Sequence, residues 1–422
     1  MKVVDSAVDQ AGYWELVRGN ANVRRLWFGA VISLFGDWFN TLAIYRIVQD
    51  ESGSPFALAI ALLTKLLPLA LVSPIAGVLV DRWDRRKVMI GADLIRAVLV
   101  LGFLLVRDSG DLWLLYLLAS AQIVVSSVFI PAKSASLPNI TEPRELLTAN
   151  AFLSATWSVM LAVGAAAGGF AVDLFGTDAV FALDSLTYII SAFFIARMVI
   201  PQEKDEAPKD VSIIRAAARQ IADGWGYLRE HPSVMRMTWA KATWALGGGA
   251  LVLFLALLGD TLFPSAQTTG IGVLFAARGL GTGIGPVVAR SLFPDERKWP
   301  RILGLCIAAT GVGYAVLSFV GWIALIVALV IFAHAASGAN WVLSTTLLQK
   351  RSEDRFRGRV FATDWFFVTI IQSCSIVVGA LLLEAGMALR TVIFLFAVAQ
   401  ILSGLLWVVV VAPTERKEKS GQ

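Results

Sequence analysis

Twelve stretches of this chain stay apolar for about 20 residues or more, the length a helix needs to cross a hydrocarbon core of roughly 30 Å. They lie at about 25–49, 55–80, 87–106, 112–132, 149–172, 178–199, 239–262, 269–290, 301–320, 322–347, 358–383 and 388–412. A soluble α/β enzyme would instead alternate short strands with helices. The balance of residues agrees: 57% are hydrophobic and 16% charged, where a soluble domain carries roughly 25% charged residues. The expected fold class is an all-α membrane protein whose twelve transmembrane helices form two pseudo-symmetric six-helix bundles.

The positions of the cations orient these helices. All but six of the 36 Lys and Arg residues fall on the segments of one side. The exceptions are Arg46, Lys65, Arg96 and Arg278 inside apolar windows, and Arg107 and Arg390 on the other side. That other side collects Asp50, Glu51, Asp108, Asp111, Asp173, Asp178, Asp260 and Glu384. Basic segments stay in the cytoplasm, so both termini are expected there, in what reads as a multi-pass protein of a bacterial plasma membrane. The net charge of +5 thus points to a bilayer partner and not to nucleic acid. The first 25 residues are polar, so no cleavable leader is expected and the first helix directs insertion. Cys306 and Cys374 fall inside apolar runs, where thiols pack instead of reacting.

The longest polar segment divides the helices six and six. The expected units are a cytoplasmic tail at 1–24, a first bundle at 25–199, a linker at 200–238, a second bundle at 239–412 and a cytoplasmic tail at 413–422. Within the linker, Ile214, Ala217, Ile221, Trp225 and Leu228 recur at helical spacing, the pattern of an amphipathic helix at the membrane surface. An offset of 211 residues places Leu137 on Leu348, Glu142 on Glu353, Arg144 on Arg355, Asp173 on Glu384, and Arg86–Lys87 on Arg297–Lys298. Repeated bundles with a site between them are the architecture of secondary transporters.

Between the second and third windows lies GVLVDRWDRRKVMI, residues 77–90, in which six of fourteen residues are charged. Gly77 permits close helix approach, Asp81 sits where one helix gives way to the next, and Arg82, Arg85, Arg86 and Lys87 supply the basic side. This stretch resembles the loop signature of the major facilitator superfamily, with Asp84 where the family has Gly. LFGDWFNTLA, PAKSASLPNI, ANAFLSATWS and STTLLQKRSEDRFRGRVFA resemble the branch that contains macrolide and enterobactin exporters. The resemblance implies a cytoplasmic gate in which Asp81, the matching acid, and Arg85, the matching base, form a charge network with the start of the eleventh helix, where Asp364 is the expected partner. Exporters of the family that run on proton antiport carry Gly-Pro-x-x-Gly-Gly in the fifth helix. Here Gly164–Gly169 keeps the small residues and lacks the proline.

Ionisable groups inside the spans come next, since a central charge facing lipid costs roughly 2.5–3.5 kcal/mol. Asp37, Lys65, Asp93, Arg96 and Arg278 are central, whereas Arg46 and Asp184 read as lying nearer the outer side. Asp93 and Arg96, three apart, can neutralise each other. Asp37 has no partner within its own span and is the proton-coupling candidate. Lys65, Arg96 and Arg278 are candidates for the substrate cavity, with Gln122, Trp157, Asn340, Trp365 and Gln372 as neutral lining. His334 reads as a hydrogen-bonded packing residue. No phosphate-binding loop is present, and two distant histidines with two buried cysteines make no usual zinc site, so no cofactor, metal or catalytic residue is expected.

The function expected from residues and resemblance together is proton-coupled export of an amphipathic small molecule, a drug or siderophore-like compound, by alternating access. Two alternatives stay open: a lipid, lysophospholipid or organic-anion carrier not coupled to protons, and a non-transporting receptor or scaffold. A monomer is expected.

Overall fold

The computed structural model describes residues 11–202 and 213–415; within these, the side chains at 74, 77, 78, 81, 82, 213–217, 220, 354 and 355 lie outside the description. Fourteen α-helices follow one another: α1 Tyr13–Gly19, α2 Ala21–Ser52, α3 Pro55–Arg82, α4 Arg85–Gly102, α5 Leu112–Ile140, α6 Leu146–Ala196, α7 Ile213–Glu230, α8 Pro232–Gly248, α9 Leu251–Leu262, α10 Gln267–Leu292, α11 Trp299–Leu317, α12 Ile323–Arg351, α13 Asp354–Glu384 and α14 Leu389–Leu406. The described residues contain no strand.

Among the described residues, eleven helical segments are long and apolar enough to cross a membrane. One of them accounts for two crossings. Helix α6 runs 51 residues, and at Gly176 its backbone takes φ 78° and ψ 167°. Drawn straight it would reach roughly 77 Å, more than twice the thickness of a hydrocarbon core. Glycine adopts positive φ without steric cost and folds the helix back there. The expected twelve crossings follow. The seventh departs from the unbroken helix that its sequence suggests: α8 and α9 are separated at Gly249–Ala250, and the freed amide of Ala250 donates to Ser375 Oγ at 3.0 Å.

Polar side chains set the helix starts. Asn20 accepts from the amides of Asn22 and Val23 and caps α2; Ser54 caps α3, with Pro55 in the first turn. Asp84, the departure within the charged turn, accepts the Lys87 amide at 3.0 Å and caps α4. A carboxylate where a glycine was expected therefore has a structural task.

Small residues set the seams. A Cβ at Gly164 or Gly168 would press on Trp38 or Phe39 of α2, and one at Gly169 would collide with the Thr268 carbonyl of α10. A Cβ at Gly279 would lie 2.6 Å from the Ala162 amide nitrogen. The glycine run in the fifth crossing thus lets α6 touch both α2 and α10, which joins the two halves. The surface helix α7 packs on α13: Trp225 meets Phe367 at 5.0 Å between ring centroids, Tyr227 meets Phe356 at 4.7 Å, and Leu228 is buried. Ile214 and Ala217 of its expected apolar stripe are among the undescribed side chains.

Candidate coupling and substrate site

The basic end of the first half carries the charged turn. Of its signature residues, the side chains of Gly77, Asp81 and Arg82 lie outside the description. Arg85 donates to the Ala135 carbonyl at 2.9 Å and to Asn139 Oδ1 at 3.2 Å, both near the end of α5. Arg86 donates to the Ala196 carbonyl, the last residue of α6. Cations at helix C-termini satisfy orphan carbonyls and the helix dipole, so in this conformation both arginines serve the first half.

Asp364, the expected partner of that network, is paired with a lysine of its own half. Its Oδ2 is 2.6 Å from Lys241 Nζ of α8, both side chains are buried, and the ammonium also faces the Trp341 ring at 5.0 Å. Lys241 went unnoticed in the sequence because it stands two residues inside the edge of its apolar window and read as part of the basic segment.

The interior of the first half holds a connected set of polar groups drawn from five helices. Asp37 of α2 accepts from the Tyr188 hydroxyl of α6. That hydroxyl in turn accepts from Gln122 Nε2 of α5 at 2.8 Å. Arg96 of α4 lies over the Tyr188 ring at 4.4 Å and over Phe129 at 4.5 Å, and it pairs with Asp93. Lys65 of α3 donates to Thr41 Oγ1 at 2.7 Å and Asn40 Oδ1 at 3.4 Å, within electrostatic range of Asp37 and Asp184. Lys133 of α5 lies within range of Asp37 and Asp93. Three carboxylates and three cations are thus enclosed together.

Asp184 corrects the reading from sequence. It is fully buried, a Cβ at Gly36 would collide with its carboxylate, and one of its oxygens has no hydrogen-bond partner. It therefore sits at the level of Asp37 and not near the outer side. The fold-back at Gly176 starts the sixth crossing early enough to carry Asp184 to that depth.

The second half is drier. Arg278, about midway along α10, has Tyr45 of α2, Tyr314 of α11 and His334 of α12 within electrostatic range. Phe275, one turn earlier, packs between Trp38 and Tyr45 with centroid separations of 5.8 and 6.1 Å. His334 shares a hydrogen bond with the Tyr314 hydroxyl at 2.9 Å, the packing role expected of it.

The neutral lining candidates separate. Gln122 belongs to the buried set around Asp37. Asn340 is buried with both amide atoms unpartnered. Trp365 is exposed and edge-on to Trp341 at 5.7 Å, and Gln372 is half-buried beside Gly249. Trp157 is 51% exposed.

At the acidic end, two carboxylates join the halves. Asp173, at the close of the fifth crossing, accepts from the Thr268 amide at 3.3 Å, the Thr269 amide at 2.6 Å and Thr269 Oγ1 at 2.7 Å. Glu384, at the close of α13, accepts from Ser54 Oγ and from the Phe56 amide at 3.2 Å. Each side chain sits on the first turn of a helix in the opposite half. These are the two residues that the 211-residue offset superimposes.

Comparison with known proteins places this geometry. Residues 26–262 match the profile described as Major Facilitator Superfamily. The MFS-type transporter YfiS of Bacillus subtilis (strain 168) is 28% identical over 250 residues, which span 58% of this chain and 56% of the relative's own length. Macrolide efflux protein A of Streptococcus pyogenes is 24% identical over 369 residues, 84% of this chain and 88% of its own. The crystal structure of a mutant peptide transporter in complex with sulfate superposes with a TM-score of 0.75 over 98% of each chain at 11% identity.

Proposed function

The chain belongs to the Major Facilitator Superfamily and is a membrane carrier of small molecules, and from that premise we propose that it exports an amphipathic compound in exchange for protons taken up through Asp37. Export is carried over from the relative named for macrolide efflux. The basic side is assigned to the cytoplasm on the distribution of Lys and Arg, and the membrane to the bacterial plasma membrane on the bacterial relatives.

One observation carries the coupling assignment. Asp37 is a mid-membrane carboxylate whose described hydrogen-bond donor is a tyrosine hydroxyl and not a cation. The set around it holds three acids and three bases, so a single proton taken up by Asp37 adds one positive charge to it. Such a step in a low-dielectric interior biases the two conformations that enclose or release it. Asp93 is paired tightly with Arg96, whereas Asp37 is hydrogen-bonded to a neutral chain of hydroxyl and amide with Lys65 within electrostatic range.

The test is efflux of a fluorescent amphipathic dye from expressing cells and from vesicles, with and without a protonophore. Wild-type efflux should stop with the protonophore. Asp37→Asn should bind dye with unchanged affinity yet lose the dependence on the proton gradient. Protonophore-sensitive efflux at the wild-type rate in that variant would remove Asp37 from the mechanism.

A further inference from the structure

We infer that the transported molecule carries an anionic group, a carboxylate or a phosphate, and docks it on Arg278 at the junction of the two halves. This rests on the carrier reading and adds the chemical class of the cargo.

Arg278 stands apart from the other cations in the spans. Arg96 has Asp93, Lys241 has Asp364, Arg46 has Asp50, and Lys65 and Lys133 have Asp37 within range. The Arg278 guanidinium makes no hydrogen bond to a described residue, and its buried Nε has no partner. The groups that act on its charge are the hydroxyls of Tyr45 and Tyr314. The remaining close contact is the Phe275 ring, 5.8 Å from the guanidinium carbon. An arginine at that depth costs roughly 2.5–3.5 kcal/mol to place. Among the described residues no carboxylate pairs with it, and the Phe275 ring contact offsets less of that cost than a bound anion would.

The chemistry fits such a cargo. A planar guanidinium presents paired N–H donors to a carboxylate or phosphate. Tyr45, whose hydroxyl makes no hydrogen bond to a described residue, adds a donor from the first half, while the Tyr314–His334 bond fixes the wall behind it. Trp38 and Phe275 supply apolar surface for the rest of an amphipathic molecule. Because Arg278 belongs to the second half and Tyr45 to the first, an anion held by both bridges the halves and favours the conformation in which they meet.

The experiment uses the full chain in detergent and two probes that differ by one charge, 1-pyrenebutyrate and its methyl ester, with binding read by energy transfer from tryptophan to pyrene. Wild-type protein should hold the acid about tenfold more tightly than the ester, the magnitude of one charged hydrogen bond. Arg278→Gln should lose that difference, Arg278→Lys should keep part of it, and Tyr45→Phe should weaken the acid while leaving the ester unchanged. Melting of Arg278→Gln should be no lower than wild type, since no ion pair is broken; if that variant does not fold, the lysine and Tyr45→Phe variants carry the test. Equal binding of acid and ester by wild type, binding of neither, or an acid preference that survives in every variant overturns the inference. Failure of the carrier reading is separate: distances between the halves would then stay fixed while the acid still binds.

Discussion

Lys241 and Asp364 lie 2.6 Å apart with side chains 3% and 2% exposed. A buried pair of this kind is costly to halve. Asp364→Asn leaves an ammonium without its counter-ion and should destabilise the protein by about 3–5 kcal/mol, whereas replacing both partners with apolar residues of similar volume should be close to neutral. Thermal unfolding of detergent-solubilised Asp364→Asn, Lys241→Met and the double variant Lys241→Met with Asp364→Leu decides this. A double variant no more stable than the worse single one would show that the pair acts through other contacts. The same residues explain what the sequence could not disclose. A hydropathy window ends where charge begins, so Lys133 and Lys241, both well inside helices, read as parts of basic loops. Arg96 and Asp93 were legible as a pair because they are three residues apart on one helix. The link from Asp37 to Tyr188 spans 151 positions, and no local pattern contains it.

At the level of helices, the joints at the acidic end are the informative feature. Asp173 accepts from the first turn of α10, and Glu384 from the first turn of α3. Each is a helix cap supplied by the opposite half, of a class worth about 0.5–2 kcal/mol. In an alternating-access cycle that energy exists only while the acidic end is closed, so removing it shifts population rather than merely lowering stability. Asp173→Asn and Glu384→Gln should each widen the distance distribution between spin labels placed across that end. Because the two caps join different helix pairs, their effects should add. Unchanged distributions in the double variant would mean that neither carboxylate holds the halves together. The helices themselves were legible from apolar length, and the repeat offset had already paired these two acids. What they touch depends on how the halves are packed, which hydropathy does not encode. The break between α8 and α9 was hidden for a related reason: Gly247, Gly248 and Gly249 are as compatible with a packed helix as with an interrupted one.

Across the whole molecule, the two ends ask opposite things of the equilibrium. At the acidic end, carboxylates of each half hold the first turns of the other. At the basic end, Arg85 and Arg86 are engaged with carbonyls of α5 and α6 inside their own half. In an alternating-access cycle the acidic joints open when the carrier faces the other way. By resemblance to the family, Asp81 belongs to the network that closes the basic end, and we carry that role over as a proposal. Asp81→Asn should then slow turnover without abolishing substrate binding, and it should favour the state described here. Asp173→Asn should favour the opposite state. Losses of about 1 kcal/mol on either side change the ratio of states roughly fivefold. The signs are opposed, so the combined Asp81→Asn and Asp173→Asn variant should return the distance distribution toward wild type while remaining slower than wild type in flux, since both end states have lost contacts. Spin-label distances at both ends, recorded for the two single variants and the double, test this directly. Single variants that shift the distributions in the same direction would mean that the two ends are not coupled through one rocking motion.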